Sequence, residues 1–374
     1  MSSPEIRKYA ITLCGCDSTR NGSEKSQASL FFDRNQVMKV GESELIDRIS
    51  TALGGRRNVP QVVRLGIGDD AAVFRPTAGH EILLTCDWFL EGIHFLREKH
   101  PATSVGWKCL ARVVSDIAAM GGVPRCFLLS LALPTSHTED WLNEFLDGLR
   151  RASRRFQCVL AGGDTTHRNE ILINVTVIGE SQTGSAGLRS GARPGDLVYV
   201  SGRLGEAGLG LQLLKRSRHG ASSKDPYMQK HLYPEPRLAL GRWLVKRQLA
   251  TAMMDLSDGL SSDLSRLCAA SGVGARLEAA EIPVTQTMNS NTKDPAVALR
   301  LALHGGDDYE LLFTAPRKRA NSLPRSFKGL PLTQIGIVTS NKKIVLVNKN
   351  GREQRLDPGG WDPFRAHRLT GGYS

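Results

Sequence analysis

The 374-residue sequence predicts an α+β protein of two domains. Two observations carry that expectation. From Val62 onward, short apolar runs alternate with segments of helical period as β–α–β passages joined to hairpins, a pattern that does not make a doubly wound sheet. The alternation then restarts at the turn Pro194-Gly195-Asp196.

Residues 1–40 are polar, carry turn formers such as Asn21-Gly22-Ser23 and show no sustained period, so a disordered extension is expected there. Met38, just before the first convincing helix at Glu44–Leu53, offers an alternative start of translation. Strands are expected at Val62–Ile67, Ala71–Phe74 and Ile82–Cys86. A long helix follows, with Pro101 suited to its first turn and Gly121-Gly122 to its stop. After an apolar strand at Cys126–Leu133, Ser136-x-x-Glu139 reads as a capping box for a helix burying Trp141, Phe145, Leu149 and Phe156. Strands at Cys158–Ala161 and Ile171–Val177 complete the first unit. The second opens with a strand at Leu197–Ser201 and has helices near Leu209–Lys215, Pro236–Arg247 and Leu260–Ala270. The resulting division is 1–40 as extension, 41–190 and 191–365 as domains, and 366–374 as a tail.

Net charge is +12, yet the basic residues fall in short runs with local explanations. Arg150-Arg151 and Arg154-Arg155 close a helix, where cations complement the C-terminal dipole, so a solvated face is expected and nucleic acid is not. No apolar run nears the roughly 18 residues of a membrane span, and Tyr9–Cys14 is too meagre for a signal peptide. A cytoplasmic protein is expected. The seven cysteines are scattered and mostly sit in apolar segments, which fits reduced thiols, not disulfides or a zinc site.

Against that basic background, acids recur where strands meet glycine: Asp69-Asp70, Asp87, Asp164, Asp255 and Asp307-Asp308. Carboxylates without a Cys/His cluster suit Mg²⁺, and with it phosphate chemistry. No G-x-x-x-x-G-K-[ST] is present, and Gly66-x-Gly68-x-x-Ala71 precedes a strand, not a helix, with two acids that would repel a pyrophosphate. Each acid also has a plainer reading. Asp69-Asp70 could be turn formers, Asp116 could pair with Arg112 one helical turn back, and Ser257 or Asp258 could cap a helix. Gly162-Gly163-Asp164-Thr165-Thr166 offers bare backbone and hydroxyls to a phosphate, and Gly202–Gly210 could present amides to one.

In order, Leu65–Phe74, Asp87 through His94-Phe95, Ser115–Gly121, Gly162–Thr166, Asp255–Gly259 and Gly305–Glu310 resemble the thiamine-monophosphate kinase family. That family lies within the ATP-binding superfamily that includes aminoimidazole ribonucleotide synthetase, and the resemblance spans about Gly41 to Phe364. It implies a two-domain fold with mixed and antiparallel sheets flanked by helices, and a homodimer whose N-terminal domains form a β-barrel. Its implied activity is direct transfer of the ATP γ-phosphoryl to thiamine monophosphate, giving thiamine diphosphate and ADP with several Mg²⁺ ions. Implied metal positions are Asp70, Thr85, Cys86, Asp87, Asp116, Asp164, Asp255 and Asp258. Gly163, Asp164, Arg189 and Ser257 would contact ATP, and His94, Asp307 and Trp361 the thiamine phosphate. Asp69 and Asp308 receive no role.

Cys86, Val113 and Asp307 depart from the family pattern, which usually has threonine, a small polar residue and glutamate there. Two rival readings follow. Cys14-Gly15-Cys16 resembles the cysteine motif of selenophosphate synthetase, but Asp17 stands where that family has lysine. A decayed nucleotide-binding homologue would exploit the three departures.

Overall fold

Residues 41–54, 62–137, 139–218, 220–284 and 294–364 are described in the computed structural model. The expected extension at 1–40, with Cys14 and Cys16, and the tail at 366–374 lie outside them.

The first half runs α1 (Glu42–Ala52), β1 (Val63–Leu65), β2 (Val73–Phe74), β3 (His80–Leu90), α2 (Ala102–Ala119), β4 (Val123–Leu133), α3 (Asp140–Phe156), β5 (Val159–His167) and β6 (Leu172–Gln182). Four of its strands form one mixed sheet in the order β3-β6-β4-β5, in which only β4 and β5 run parallel. Alternation decides the faces: Ile173, Val175 and Val177 of β6 are buried, as are Leu83 and Phe89 of β3. These residues join Leu110, Val114 and Ile117 of α2 and Phe145 and Leu149 of α3 in one core. Helices α2 and α3 meet at two glycines. A Cβ on Gly106 would lie 2.0 Å from the Phe145 carbonyl oxygen, and one on Gly148 would lie 1.9 Å from that of Thr103. The other face of the sheet receives the β1–β2 hairpin, where Val63 and Phe74 pack with Cys126, Leu128 and Ala161.

The second half contains β7 (Leu197–Ser201), α4 (Glu206–Arg216), α5 (Pro226–Leu232), α6 (Leu238–Lys246), β8 (Ala252–Asp255), α7 (Leu260–Ser271), β9 (Gly274–Glu278), α8 (Pro295–His304), β10 (Leu311–Ala315), β11 (Ser326–Phe327), β12 (Leu330–Thr339), β13 (Ile344–Val347) and β14 (Glu353–Arg355). Its sheet runs β14-β13-β9-β12-β7-β10-β8, with β11 paired to β12 and only β13–β9 parallel. Helix α2 joins the halves: Trp107 Nε1 donates to the Pro234 carbonyl at 2.8 Å, and a Cβ on Gly241 of α6 would lie 2.0 Å from the Ala118 carbonyl oxygen.

Several expectations change. Strand β3 does not stop at Cys86 but pairs in unbroken register from His80↔Gln182 to Leu90↔Leu172, so Asp87 lies inside it. Strand β5 likewise runs through Gly162–Thr166 beside β4. Gly163 is needed in that strand because a Cβ would sit 1.9 Å from the Leu129 carbonyl oxygen. The capping box does not form: α3 begins at Asp140, Glu139 occupies its N-cap without a side-chain bond, and Ser136 Oγ instead meets His137 Nδ1 at 2.9 Å. Among the described residues no barrel closes, since β3 and β5 are the edges of an open four-stranded sheet.

Because α2 and α3 touch backbone to backbone, Gly148→Ala is expected to destabilise the protein by about 1–3 kcal/mol. Thermal melts should show that loss relative to Gly41→Ala, where a Cβ meets nothing within 4 Å.

Candidate active site

On α2, Lys108, Arg112 and Asp116 recur every four residues and so form one charged stripe on a helix otherwise almost wholly buried. A cavity of about 380 Å³ opens against it. Arg112 and Asp116 line this cavity together with Asp87 from β3, Asp255 from β8, Ser257 and Asp258 from the turn before α7, and Arg189. His94, Asp307, Tyr309 and Trp361 line it as well.

Burial and mutual repulsion disfavour the charged forms of the carboxylates. Thr85 Oγ1 donates to Asp116 Oδ2 at 2.5 Å. Burial pushes the Asp87 carboxyl up to about 6, opposed by Arg112 and reinforced by Asp116 and Asp258. Asp255 is raised well above the usual carboxylate range by burial and then by Asp116, and Asp116 itself is raised chiefly by burial. Asp258 pairs with Arg266 at 2.5 Å. Neither Ser257 nor Asp258 caps α7: the buried Asp263 Oδ2 accepts the amides of Asp258 and Gly259 at 3.1 and 3.0 Å.

At His94, the Leu90 amide donates to Nδ1 at 3.0 Å, which makes Nδ1 the acceptor and Nε2 the protonated nitrogen. Burial, with Arg112 adding to it, lowers His94 to about 4, so the ring is neutral. The His94 and Trp361 rings lie 6.3 Å apart between centres, tilted by 54°. Trp361 is placed by its amide, which donates to the Asp258 carbonyl at 3.0 Å. Asp307 Oδ2 accepts from Lys108 Nζ at 2.8 Å and Oδ1 from Tyr309 Oη at 2.9 Å. Burial alone would raise Asp307, but Lys108 and, with it, Arg112 hold it well below the usual carboxylate range. Behind Lys108, His231 Nδ1 lies at 3.2 Å, and His231 Nε2 is 3.1 Å from His100 Nε2. Burial and then Lys108 push both imidazoles down, so they are neutral.

The segment after Gly306 divides its labour. Asp307 and Tyr309 have left-handed backbones, φ 61° and 50°, which send successive side chains to different surroundings. Asp308 accepts the Gly205 and Ala207 amides at 2.6 and 3.2 Å, occupying the start of α4 with a carboxylate of this chain. The amides of Gly202–Gly210 that could have met a phosphate are thus partly satisfied internally. Glu310 is buried with Arg237, Lys230 and Ser201.

The cavity therefore gathers Asp87, Asp116, Asp255, Asp258, Arg189, Ser257, His94, Asp307 and Trp361, with Thr85 bonded to Asp116. Asp70, Cys86, Gly163 and Asp164 do not line it. Asp70 is exposed beyond the β1–β2 hairpin that packs on the other sheet face. Asp164 stands on that same face, beside Ser130 and, through it, in line with Asn174 and Trp88. Cys86 Sγ also lies there, 3.2 Å from Asn174 Nδ2. Val113 packs in the first core. The sequence reading missed Lys108, His100, His231, Asp263 and Glu310; the four-residue spacing of Lys108, Arg112 and Asp116 was the available signal.

Comparison with known proteins accounts for both halves. Residues 68–181 match the N-terminal domain, and 193–349 the C-terminal domain, of AIR synthase related proteins. Fold and site thus define a two-domain protein of that class. The thiamine-monophosphate kinase of Escherichia coli K12 is 37% identical over 331 residues, 87% of this chain and 99% of the relative. The crystal structure of that kinase from Stenotrophomonas maltophilia K279a is 36% identical with a TM-score of 0.73, covering 82% of this chain and 96% of the other. AaThiL complexed with AMPPCP and TMP is 33% identical with a TM-score of 0.67, covering 88% and 98%. The chain belongs to the thiamine-monophosphate kinase family.

Magnesium is the metal that this family implies. Among the described residues, no three His, Cys, Asp or Glu side chains already form a coordination sphere. The donors nevertheless fit: Asp87, Asp116, Asp255 and Asp258 are hard oxygen ligands crowded enough to raise one another, and Mg²⁺ usually completes its sphere with water and substrate phosphates.

Proposed function

We propose that this chain transfers the γ-phosphoryl of ATP directly to thiamine monophosphate, giving thiamine diphosphate and ADP. One observation carries the reading: a single cavity joins carboxylates from both halves to an aromatic and ionic pocket at His94, Trp361 and Asp307. A relative of the same length class is complexed with AMPPCP and TMP, which is the pairing of ligands this reading needs.

An oxygen of the acceptor phosphate attacks the γ-phosphorus, the bond from that phosphorus to the β,γ-bridging oxygen breaks, and ADP departs. The acceptor's second pKa of about 6 leaves it largely deprotonated at neutral pH, so no general base is required. Asp87, Asp116, Asp255 and Asp258 would hold Mg²⁺, which when bound would neutralise charge between the two phosphate-bearing substrates. Arg189 and Ser257 face the nucleotide. His94 and Trp361 offer aromatic surface to the thiamine rings, and the Lys108–Asp307 pair fixes the wall beside them.

Asp70, Cys86, Gly163 and Asp164 belong in this reading to the outer sheet face, where a second copy would sit. That face supports a homodimer: Ile82, Leu84 and Trp88 on the free edge strand β3 are 44%, 72% and 55% exposed, an apolar stripe that a matching β3 would cover. The halves divide near residues 190 and 191. Among the described residues no helix is long and apolar enough to cross a membrane, and a cytoplasmic enzyme is the reading adopted.

Purified protein with ATP, Mg²⁺ and thiamine monophosphate should form thiamine diphosphate, and Asp116→Asn should lose at least about 100-fold in kcat, as removal of a charge-stabilising group does. Absence of thiamine-monophosphate-dependent ADP release would sink the kinase reading, and selenide-dependent turnover would favour the selenophosphate synthetase alternative. Analytical ultracentrifugation should find a dimer that Leu84→Asp converts to monomer; a wild-type monomer at micromolar concentration would refute the β3 interface.

A further inference from the structure

Arg112 lines the cavity together with Asp87, Asp116, Asp255 and Asp258 and with His94, Asp307 and Trp361. Its Nη2 lies 4.0 Å from Asp87 Oδ2, which is an ion-pair distance but beyond hydrogen-bond reach. Its Nε is buried and has no hydrogen-bond partner among the described residues. The guanidinium carbon rests 5.3 Å from the centre of the Phe89 ring, so the plane of the fork is set by the sheet core. The same charge acts on Asp87, Asp116, His94 and Asp307.

A half-buried guanidinium whose Nε is buried and unused calls for an acceptor that the described residues do not provide. The acceptor best matched to a planar fork of donors is an oxygen pair on a phosphate. Position decides which phosphate. ATP is assigned to the carboxylates with Arg189 and Ser257, and thiamine monophosphate to His94, Asp307 and Trp361; Arg112 lines the same cavity and acts on residues of both sets, so the group passing between them meets Arg112.

We propose that Arg112 binds the phosphoryl group in transit, donating from Nε and a terminal nitrogen to its non-bridging oxygens while the donor bond breaks and the acceptor bond forms. This rests on the kinase assignment above. The guanidinium is a fixed positive charge where negative charge gathers on three equatorial oxygens, and it comes from the same chain as the rest of the site. The competing role is a counter-ion for Asp87 that does no more than ease crowding among the carboxylates.

Steady-state rates of wild type, Arg112→Gln and Arg112→Lys, measured over a range of Mg²⁺ with both substrates, separate these roles. Arg112→Gln is expected to lower kcat by about 100- to 1000-fold with KM for each substrate within about threefold of wild type, because the contact is made in transit and not in the ground state. Arg112→Lys should recover part of that loss, since it keeps the charge without the fork, and the recovery also shows that the site still folds. A kcat within about threefold of wild type in Arg112→Gln, or a defect abolished by excess Mg²⁺, would overturn the proposal and leave the kinase reading intact. A wild-type enzyme without thiamine-monophosphate-dependent turnover would overturn both.

Discussion

Three charges on one face of a buried helix have to be answered from across the molecule, and the site follows from that requirement. Lys108, Arg112 and Asp116 cannot pack dry against the second half, because burying an unpaired charge costs far more than a helix contact returns. Each is met by a different element. Lys108 finds Asp307 from the turn before β10, Arg112 lies within 4.0 Å of Asp87 on β3, and Asp116 accepts from Thr85 on the same strand. The cavity lies where these charges leave room for solvent, and it is bounded by both halves of the chain.

The turn at Asp307–Glu310 shows how local backbone serves that arrangement. Its two non-glycine residues with positive φ carry the strain of turning four consecutive side chains in different directions. Asp307 faces Lys108 and the cavity, Asp308 accepts amides at the start of α4, Tyr309 braces Asp307, and Glu310 is locked between Arg237 and Lys230. Two neighbouring aspartates therefore have opposite fates. Asp307 is stabilised as an anion by cations, whereas burial raises Asp308 to about 7 despite the amides it accepts.

Elements governed by local pattern were legible in the sequence. Strand β7 falls at Leu197–Ser201 as read, and α2 starts and stops next to Pro101 and Gly121. Elements governed by distant pairing were not. Asp87 and Gly162–Thr166 look like strand terminators locally, but β6 and β4 carry the ladders through them. The acids of the site were legible by residue type and position, whereas their partners were not. Lys108 sits in an apolar helix and its partner Asp307 is 199 residues away. Arg112 has an acid one turn along its own helix, so sequence favours Asp116, while the fold turns it toward Asp87. Asp308 was left without a role because its amides come from α4, 101 and 103 residues earlier.

The central claim is that carboxylates from both halves share one cation site. Calorimetric titration of Mg²⁺ into the full chain holding a non-hydrolysable ATP analogue tests it directly, with Asp116→Asn and Asp255→Asn compared against wild type. A shared site predicts that each substitution, one in either half, weakens Mg²⁺ binding by about tenfold or more, roughly 1.4 kcal/mol. Binding by Asp255→Asn as tight as wild type would contradict it, because the second half would then contribute no ligand.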